Sequence, residues 1–416
     1  MTGAETDHAR ALFEELFTEL NAIGLDQNGA TTRLAWTAEA AQAAAWFDRT
    51  ATRLGLDPQV DRNGNRWAWA GAPASGAIVS GSHLDSVREG GRFDGALGVV
   101  AGLIALHLLV RRGELRAPLA VVSFADEEGG RYDTPTFGSR AMLGSLDVQA
   151  ILERPDRDGV SLRDALSGAG LAPTEVGPDP ERLAQIGALV EVHIEQDTLL
   201  RERDRTLALG TKILPHGRWR IDLHGEANHA GTTPLQIRRD PMLTLAAAVQ
   251  AARAVASDER ALATIGKLEV SPNATNAIAE RVSLWLDVRG ESDAVVERTV
   301  QRIMEAVRTD ADASGIGVEV KRESFTGAVH FSPRLRERVA AILAEHGIED
   351  VPMATGAGHD SGALAEAVPS AMLFVRSSTG ASHSSRELAG LEDCVSGIGA
   401  LTEVLAALAQ QNGEGW

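Results

Sequence analysis

Cysteine is nearly missing from this chain: among 416 residues only Cys394 carries a thiol. That excludes an internal disulfide framework and any zinc site built on paired cysteines, and it fits a reducing compartment. Positive charge is also scarce. The 40 Lys and Arg stand against 58 Asp and Glu, a formal net charge of −18, whereas binding nucleic acid or an anionic membrane surface depends on clustered cations. No nucleic-acid or membrane partner is expected. No apolar run reaches the about 20 residues of a membrane span. The opening stretch, "MTGAETDHARALFEELFTEL", alternates charge with apolar residues at helical spacing and lacks the layout of a signal peptide. With 44% hydrophobic and 24% charged residues, the chain can bury the core of two domains, and a globular cytoplasmic protein is expected.

Apolar positions at three-to-four spacing predict helices over about 6–24 and 38–55. Strand and helix then alternate: β-like runs at 67–69 and 77–79, a helix over 97–109, and continuous apolar strands at 119–124, 188–192 and 371–375. Continuous apolar strands between helices indicate an α/β domain whose mostly parallel sheet is covered on both faces. The middle differs. Strand 218–223, helix 241–256, strands 263–270 and 281–289, helix 294–313 and strand 317–321 follow the β-α-β-β-α-β order of a ferredoxin-like unit. The expected organisation is a catalytic domain of residues 1–214 and 325–416 interrupted by an inserted domain of 215–324.

In open α/β sheets ligands gather at the carboxyl ends of strands, and four such ends carry metal-type side chains. "GSHLD" holds His83 and Asp85, with Asp94 in the Gly-rich loop beyond; "ADEEGG" holds Glu127 and Glu128; "HIEQ" holds His193; "GASHS" holds His383. His83, Asp94, Glu128, His193 and His383 combine three imidazoles with two carboxylates, a mixture that suits zinc or manganese, and also nickel or cobalt. Asp94, in a tight turn beside Gly95, fits a carboxylate bridging two ions. Asp85, two residues after His83 on an extended chain, is expected to accept the ring's other N–H and fix its tautomer. If the strand continues, adjacent Glu127 and Glu128 point to different faces, so one can ligate while the other serves as a general base. Each signal alone has a structural reading: a satisfied histidine, a solvated charge run, a turn. Their coincidence at four strand ends favours a site. His8, His107 and His346 fall on helical stretches and Glu89 in a loop, and these keep the structural reading.

With those residues in place, the chain resembles the amidase/hydantoinase/carbamoylase branch of the aminoacylase-like dinuclear metallohydrolases. The resemblance spans about residues 10 to 405 and rests on "GSHLDSVREGGRFDGALGV", "FADEEGGRYDTPTFGSRAMLG", "VEVHIEQ", "GEANHAGTTP", "NATNAIAERVSLWLDVRG", "GAGHDSGALA" and "GASHSSRE". It implies two divalent ions per subunit: His83 and His193 on one, Glu128 and His383 on the other, Asp94 between them, and Glu127 as general base. It also implies that Gln196 contacts the ureido or amide end of the substrate. His229 would reach across a homodimer to stabilise the oxyanion, with Asn276 and Arg289, also from the partner, holding the substrate carboxylate. Gly358 and His359 would line the substrate loop, with Asp360 behind them, and His216, where relatives often have Gln, would be a further substrate contact.

The implied reaction is cleavage of a ureido C–N bond in a small carboxylate-bearing substrate with release of ammonia and carbon dioxide. Allantoate is the first candidate; an N-carbamoyl-L-amino acid or N-carbamoyl-β-alanine is the second, and N-acyl amino acids or dipeptides follow. A non-catalytic assembly protein on the same fold is the reading from another class, disfavoured because Glu127 and all five ligand-type residues are present.

Overall fold

The computed structural model describes residues 1–113, 115–349 and 351–410; residues 411–416, assigned from the sequence to the catalytic domain, lie outside these. The chain divides into two compact units, Met1–Thr211 with His330–Trp416, and Lys212–Val329.

The first unit is built on a sheet whose four middle strands, in the order Leu119–Phe124, Ala77–His83, Ile186–Ile194 and Ser370–Val375, are parallel. The flanks are antiparallel: Asp57–Val60 and Arg66–Ala70 on one side, Leu207–Ile213 on the other. The mostly parallel central sheet read from the sequence is present, with antiparallel strands added at its flanks. Short turns let consecutive strands such as Asp57–Val60 and Arg66–Ala70 pair as a hairpin, whereas parallel neighbours need a long crossover.

Alternate residues of the central strands feed two cores, which is why their apolar runs are continuous. Ile78, Val121, Val190 and Leu373 pack with Val99, Leu103 and Leu106 of the helix Ala96–Arg112 and with the helices Gly3–Asn21 and Leu391–Ala409. Val79, Ala120, Val122 and Leu189 face Trp67, Trp69, Met142 and Leu364 on the other side. The helix Ala96–Arg112 is buried nearly all round, as a helix apolar on every face must be. Truncating Ile104 within it to Ala costs about 2–5 kcal/mol. Because the four middle strands run the same way, their carboxyl ends share one edge.

The second unit is a four-stranded antiparallel sheet in the order Gly317–Thr326, His216–His224, Arg281–Arg289 and Leu262–Ser271. Its helices Pro241–Glu259 and Asp293–Ser314 start on the side-chain caps Asp240 and Ser292. They bury Leu245, Ala248, Val300 and Ile303 against Trp219, Ile221, Leu284 and Leu286. The last strand runs to Thr326, past the boundary at 324/325 expected from the sequence. Among the described residues, no helix is long and apolar enough to cross a membrane.

Candidate metal centre

His83 ends its strand, His193 lies one residue from the end of its own, and Glu128 and His383 follow two further strand ends. Asp94 hangs from the loop before the helix Ala96–Arg112. Its neighbour Gly95 has φ +66, and a Cβ there would lie 2.5 Å from the His83 ring, so only glycine lets the loop approach this closely.

These side chains form two groups that share Asp94: His83, Asp94 and His193, and Asp94, Glu128 and His383, each with its ligand atoms within 4.8 Å of one another. Asp94 Oδ1 lies 3.3 Å from His83 Nε2 and 3.0 Å from His193 Nε2, while Oδ2 lies 3.4 Å from His383 Nε2. Glu128 Oε1 is 3.4 Å from the same His383 nitrogen. Tetrahedral ligands held at about 2.0–2.1 Å from one ion stand roughly 3.3 Å apart, so the spacing fits.

The hydrogen bonds behind the rings make the same point. His83 Nδ1 donates to the main-chain carbonyl of Asp85 at 3.0 Å, and His193 Nδ1 to that of Ile194 at 2.8 Å. A carbonyl only accepts, so Nδ1 carries the proton and Nε2 turns inward, where it has no hydrogen-bond partner among the described residues. Two imidazole lone pairs aimed at a carboxylate oxygen need a cation among them, or the rings must protonate. In metal-free protein burial opposes protonation of His83, but Asp94, Glu127 and Asp85 outweigh it and hold its pKa well above 6.5. His383 is drawn up to about 9, first by its hydrogen bond to Asp94.

Around these rings lies an excess of buried carboxylates. Burial, then the Asp94 charge, pushes Glu128 up to about 7. Burial also drives Glu127 well above the carboxylate range against the pull of His83, with Asp360, Glu128 and Asp85 adding to the rise. Glu127 Oε2 stands 3.9 Å from His83 Nε2. Such a cluster is stable only neutralised, by protons or by cations, and the donor set suits divalent ions.

Asp85 corrects an expectation. Its carboxylate is 3.6 Å from His83 Nδ1 and instead accepts the main-chain N–H groups of Glu127 and Glu128, at 3.1 Å each. The carbonyl of Asp85, not its side chain, fixes the His83 tautomer.

The model of peptidase family M20/M25/M40 matches residues 79–407, which contain every one of these side chains. The chain belongs to this family. An N-carbamoyl-L-amino acid amidohydrolase of Geobacillus stearothermophilus is 34% identical over 399 residues, covering 94% of this chain and 97% of that one. An allantoate amidohydrolase of Bacillus subtilis is 33% identical over 393 residues, covering 93% and 94%. The crystal structure of an amidase of the hydantoinase/carbamoylase family from Burkholderia multivorans matches with a TM-score of 0.83 at 30% identity, covering 96% of this chain and 98% of that one.

The other singled-out residues of this M20/M25/M40 chain fall in two places. In the first unit, Gln196 Nε2 donates to Asp94 Oδ2 at 2.9 Å and to Ser382 Oγ at 3.0 Å, leaving its buried Oε1 without a partner among the described residues. His359 packs edge-on against His193 with ring centroids 4.5 Å apart, and burial, then the His193 charge, holds its pKa well below 6.5. Gly358 before it is exposed. Asp360 is buried and accepts from Ser139 Oγ. In the second unit, His216 and Arg289 are cross-strand partners, while Asn276 accepts from the Ala230 N–H through its carbonyl, next to His229.

Three buried carboxylates that act on these side chains escaped the sequence reading. Glu191, inside a strand, accepts from Ser82 Oγ at 2.7 Å and the Ser361 N–H at 3.1 Å. Asp126 is buried, and burial, then the Asp85 charge, pushes its pKa up. Glu387 reaches back to the Asp94 loop. The only signal in the sequence for Glu387 was its place at the end of "GASHSSRE".

Proposed function

We propose that this protein is a dinuclear metal amidohydrolase that cleaves a ureido C–N bond in a small, carboxylate-bearing substrate. The observation that carries the reading is Asp94 shared between two donor groups, with unpartnered imidazole nitrogens on one and the buried Glu127 alongside. In the reaction R–NH–CO–NH2 and one water become R–NH2, CO2 and NH3. Allantoate is the first-choice substrate, after the Bacillus subtilis relative, and an N-carbamoyl amino acid the second, after the Geobacillus one.

His83 and His193 would hold one ion, Glu128 and His383 the other, with Asp94 bridging; zinc or manganese suits the set, and nickel or cobalt is compatible with it. Bound ions of this kind polarise a carbonyl and lower the pKa of water toward about 7. Glu127 takes a proton from the attacking water and delivers it to the leaving nitrogen. Gln196 offers its unpartnered Oε1 to a ureido N–H. Gly358 and His359 would line the substrate with Asp360 behind them, and His216 is assigned a substrate contact by resemblance alone.

In the second unit His229 Nδ1 accepts the Gly231 N–H at 3.0 Å, so its exposed Nε2 carries the proton. That is the donor an oxyanion requires. Arg289 and Asn276 would hold the substrate carboxylate. Met242, Leu243 and Val249 on the helix Pro241–Glu259, with Leu262 and Leu268 on the edge strand Leu262–Ser271, are exposed apolar side chains. An apolar helix face beside an unpaired strand edge suits a second copy of this chain, and a homodimer would bring His229, Asn276 and Arg289 to the partner's metals. The buried lone Cys394 accords with a cytosolic location.

The test is to incubate metal-reconstituted protein with allantoate, N-carbamoyl amino acids, N-acyl amino acids and dipeptides, measuring ammonia and released amine together. Equimolar ammonia and amine from an N-carbamoyl amino acid, or ammonia from allantoate, is expected. Turnover of acyl substrates alone would replace this reading with a deacylase.

A further inference from the structure

We infer that Glu387 is a positioning residue that locks the Asp94 loop to the loop bearing His383, and so holds the two metal sites at one fixed spacing. The inference rests on the reading of Asp94 as the shared ligand.

Glu387 is 2% exposed. Its Oε1 accepts the main-chain N–H of Phe93 at 2.7 Å and that of Asp94 itself at 3.0 Å. The carboxylate fills the space beside Gly91: a Cβ on that glycine would lie 2.1–2.6 Å from the Glu387 carboxylate atoms. A single side chain thus caps the turn from which Asp94 projects.

The other end of the link is the His383 loop. Glu387 follows His383 by four residues, its own N–H donates to the Ser384 carbonyl, and the loop is closed by Ser378 N–H to Leu388 carbonyl at 2.7 Å and Thr379 Oγ1 to Arg386 carbonyl at 3.0 Å. His383 adopts φ +53, a left-handed conformation that a non-glycine residue holds only when its surroundings impose it. Asp94 Oδ1 serves the histidines of the strands and Oδ2 serves His383. If the two loops drift apart, the second site loses its geometry before the first.

The test uses full-length protein titrated with Co2+, read by its visible absorption and by calorimetry in parallel with thermal melting. The wild type is expected to take two equivalents. A wild type that takes none overturns the shared-ligand reading itself; the variants below address Glu387 alone. Glu387→Ala, which removes the acceptor, should weaken the second equivalent by about 10–100-fold, the usual effect of removing a ligand's supporting partner, and alter the second-site spectrum. Glu387→Gln keeps an oxygen able to accept both N–H groups and should restore affinity to within roughly threefold. Should the Ala variant fail to fold, Glu387→Asp decides: one methylene too short, it should weaken the second site about tenfold. Folded Ala protein, or in its absence Asp protein, with wild-type Co2+ affinity and spectrum but a lower melting temperature would show that Glu387 is merely structural.

Discussion

The carboxylate of Asp85 accepts the main-chain N–H of Glu127 at 3.1 Å, and its second oxygen accepts that of Glu128 at the same distance. One side chain therefore sets the direction in which two successive residues, the candidate base and a candidate ligand, leave the backbone. The turn is closed from behind as well, by the Thr136 N–H on the Glu127 carbonyl at 2.7 Å and the Phe137 N–H on that of Asp126 at 3.0 Å. Asp85→Asn puts an amide donor opposite one of these N–H groups. Turnover is expected to fall about 10–100-fold, with global stability little changed because Thr136 and Phe137 still hold the turn. Wild-type kcat in a folded Asn variant would remove Asp85 from this role.

Glu127 itself is separable from metal binding. It is buried, its Oε2 lies 3.9 Å from His83 Nε2, and it belongs to neither ligand group. Glu127→Gln keeps the volume but cannot take up a proton. It is expected to lower kcat by about 10²–10⁴-fold while two metal equivalents per subunit remain by elemental analysis. Loss of one metal in the variant would instead make Glu127 a ligand.

How much of this was readable in advance depended on the range of the interaction. The central strands announced themselves, since two-sided burial requires continuous apolar runs, and polar side chains directly after those runs had to gather on one edge once the strands were parallel. The antiparallel flank around Trp67 and Trp69 did not, because a short half-apolar run carries no sign of its neighbour's direction. Asp85 differs for a related reason: spacing along an extended chain puts it near His83, but the N–H groups that capture its carboxylate come from the turn after another strand, 42 and 43 residues later. Glu387 was harder still, contacting Asp94 across 293 residues through two loops with no periodic pattern.

The buried carboxylates predict what chelation does. Asp94, Glu127, Glu128 and Glu387 are all nearly buried within one neighbourhood, and without cations some must protonate or separate. Metal at about 100 times its dissociation constant adds about 2.7 kcal/mol to stability by mass action. The chelated protein should melt at a lower temperature and be cut faster within residues 80–98, the segment that carries His83 and Asp94. Equal protease resistance of that segment with and without chelator would contradict a cation requirement.

Away from the site, Glu5 offers a clean acid-linked contribution. Arg112 donates to both its oxygens, Nε to Oε1 at 2.8 Å and Nη2 to Oε2 at 3.1 Å, while also reaching Glu403. This hydrogen bond first, then that from the Thr2 N–H, lowers Glu5 from 4.5 to about 2. A carboxylate depressed in the folded state stabilises fully above its unfolded pKa and loses that contribution as pH falls through the folded one. The window is thus from 4.5 down to about 2. Because the side chain keeps 24% of its exposure, solvent screening limits the effect to about 1 kcal/mol or less. Glu5→Gln should therefore unfold at lower urea than the wild type near neutral pH, with the gap closing as the wild-type carboxylate protonates. Urea midpoints measured from about pH 6 to about pH 3 would show it; a gap that stayed constant across that range would mean that Glu5 acts through packing and not through its charge.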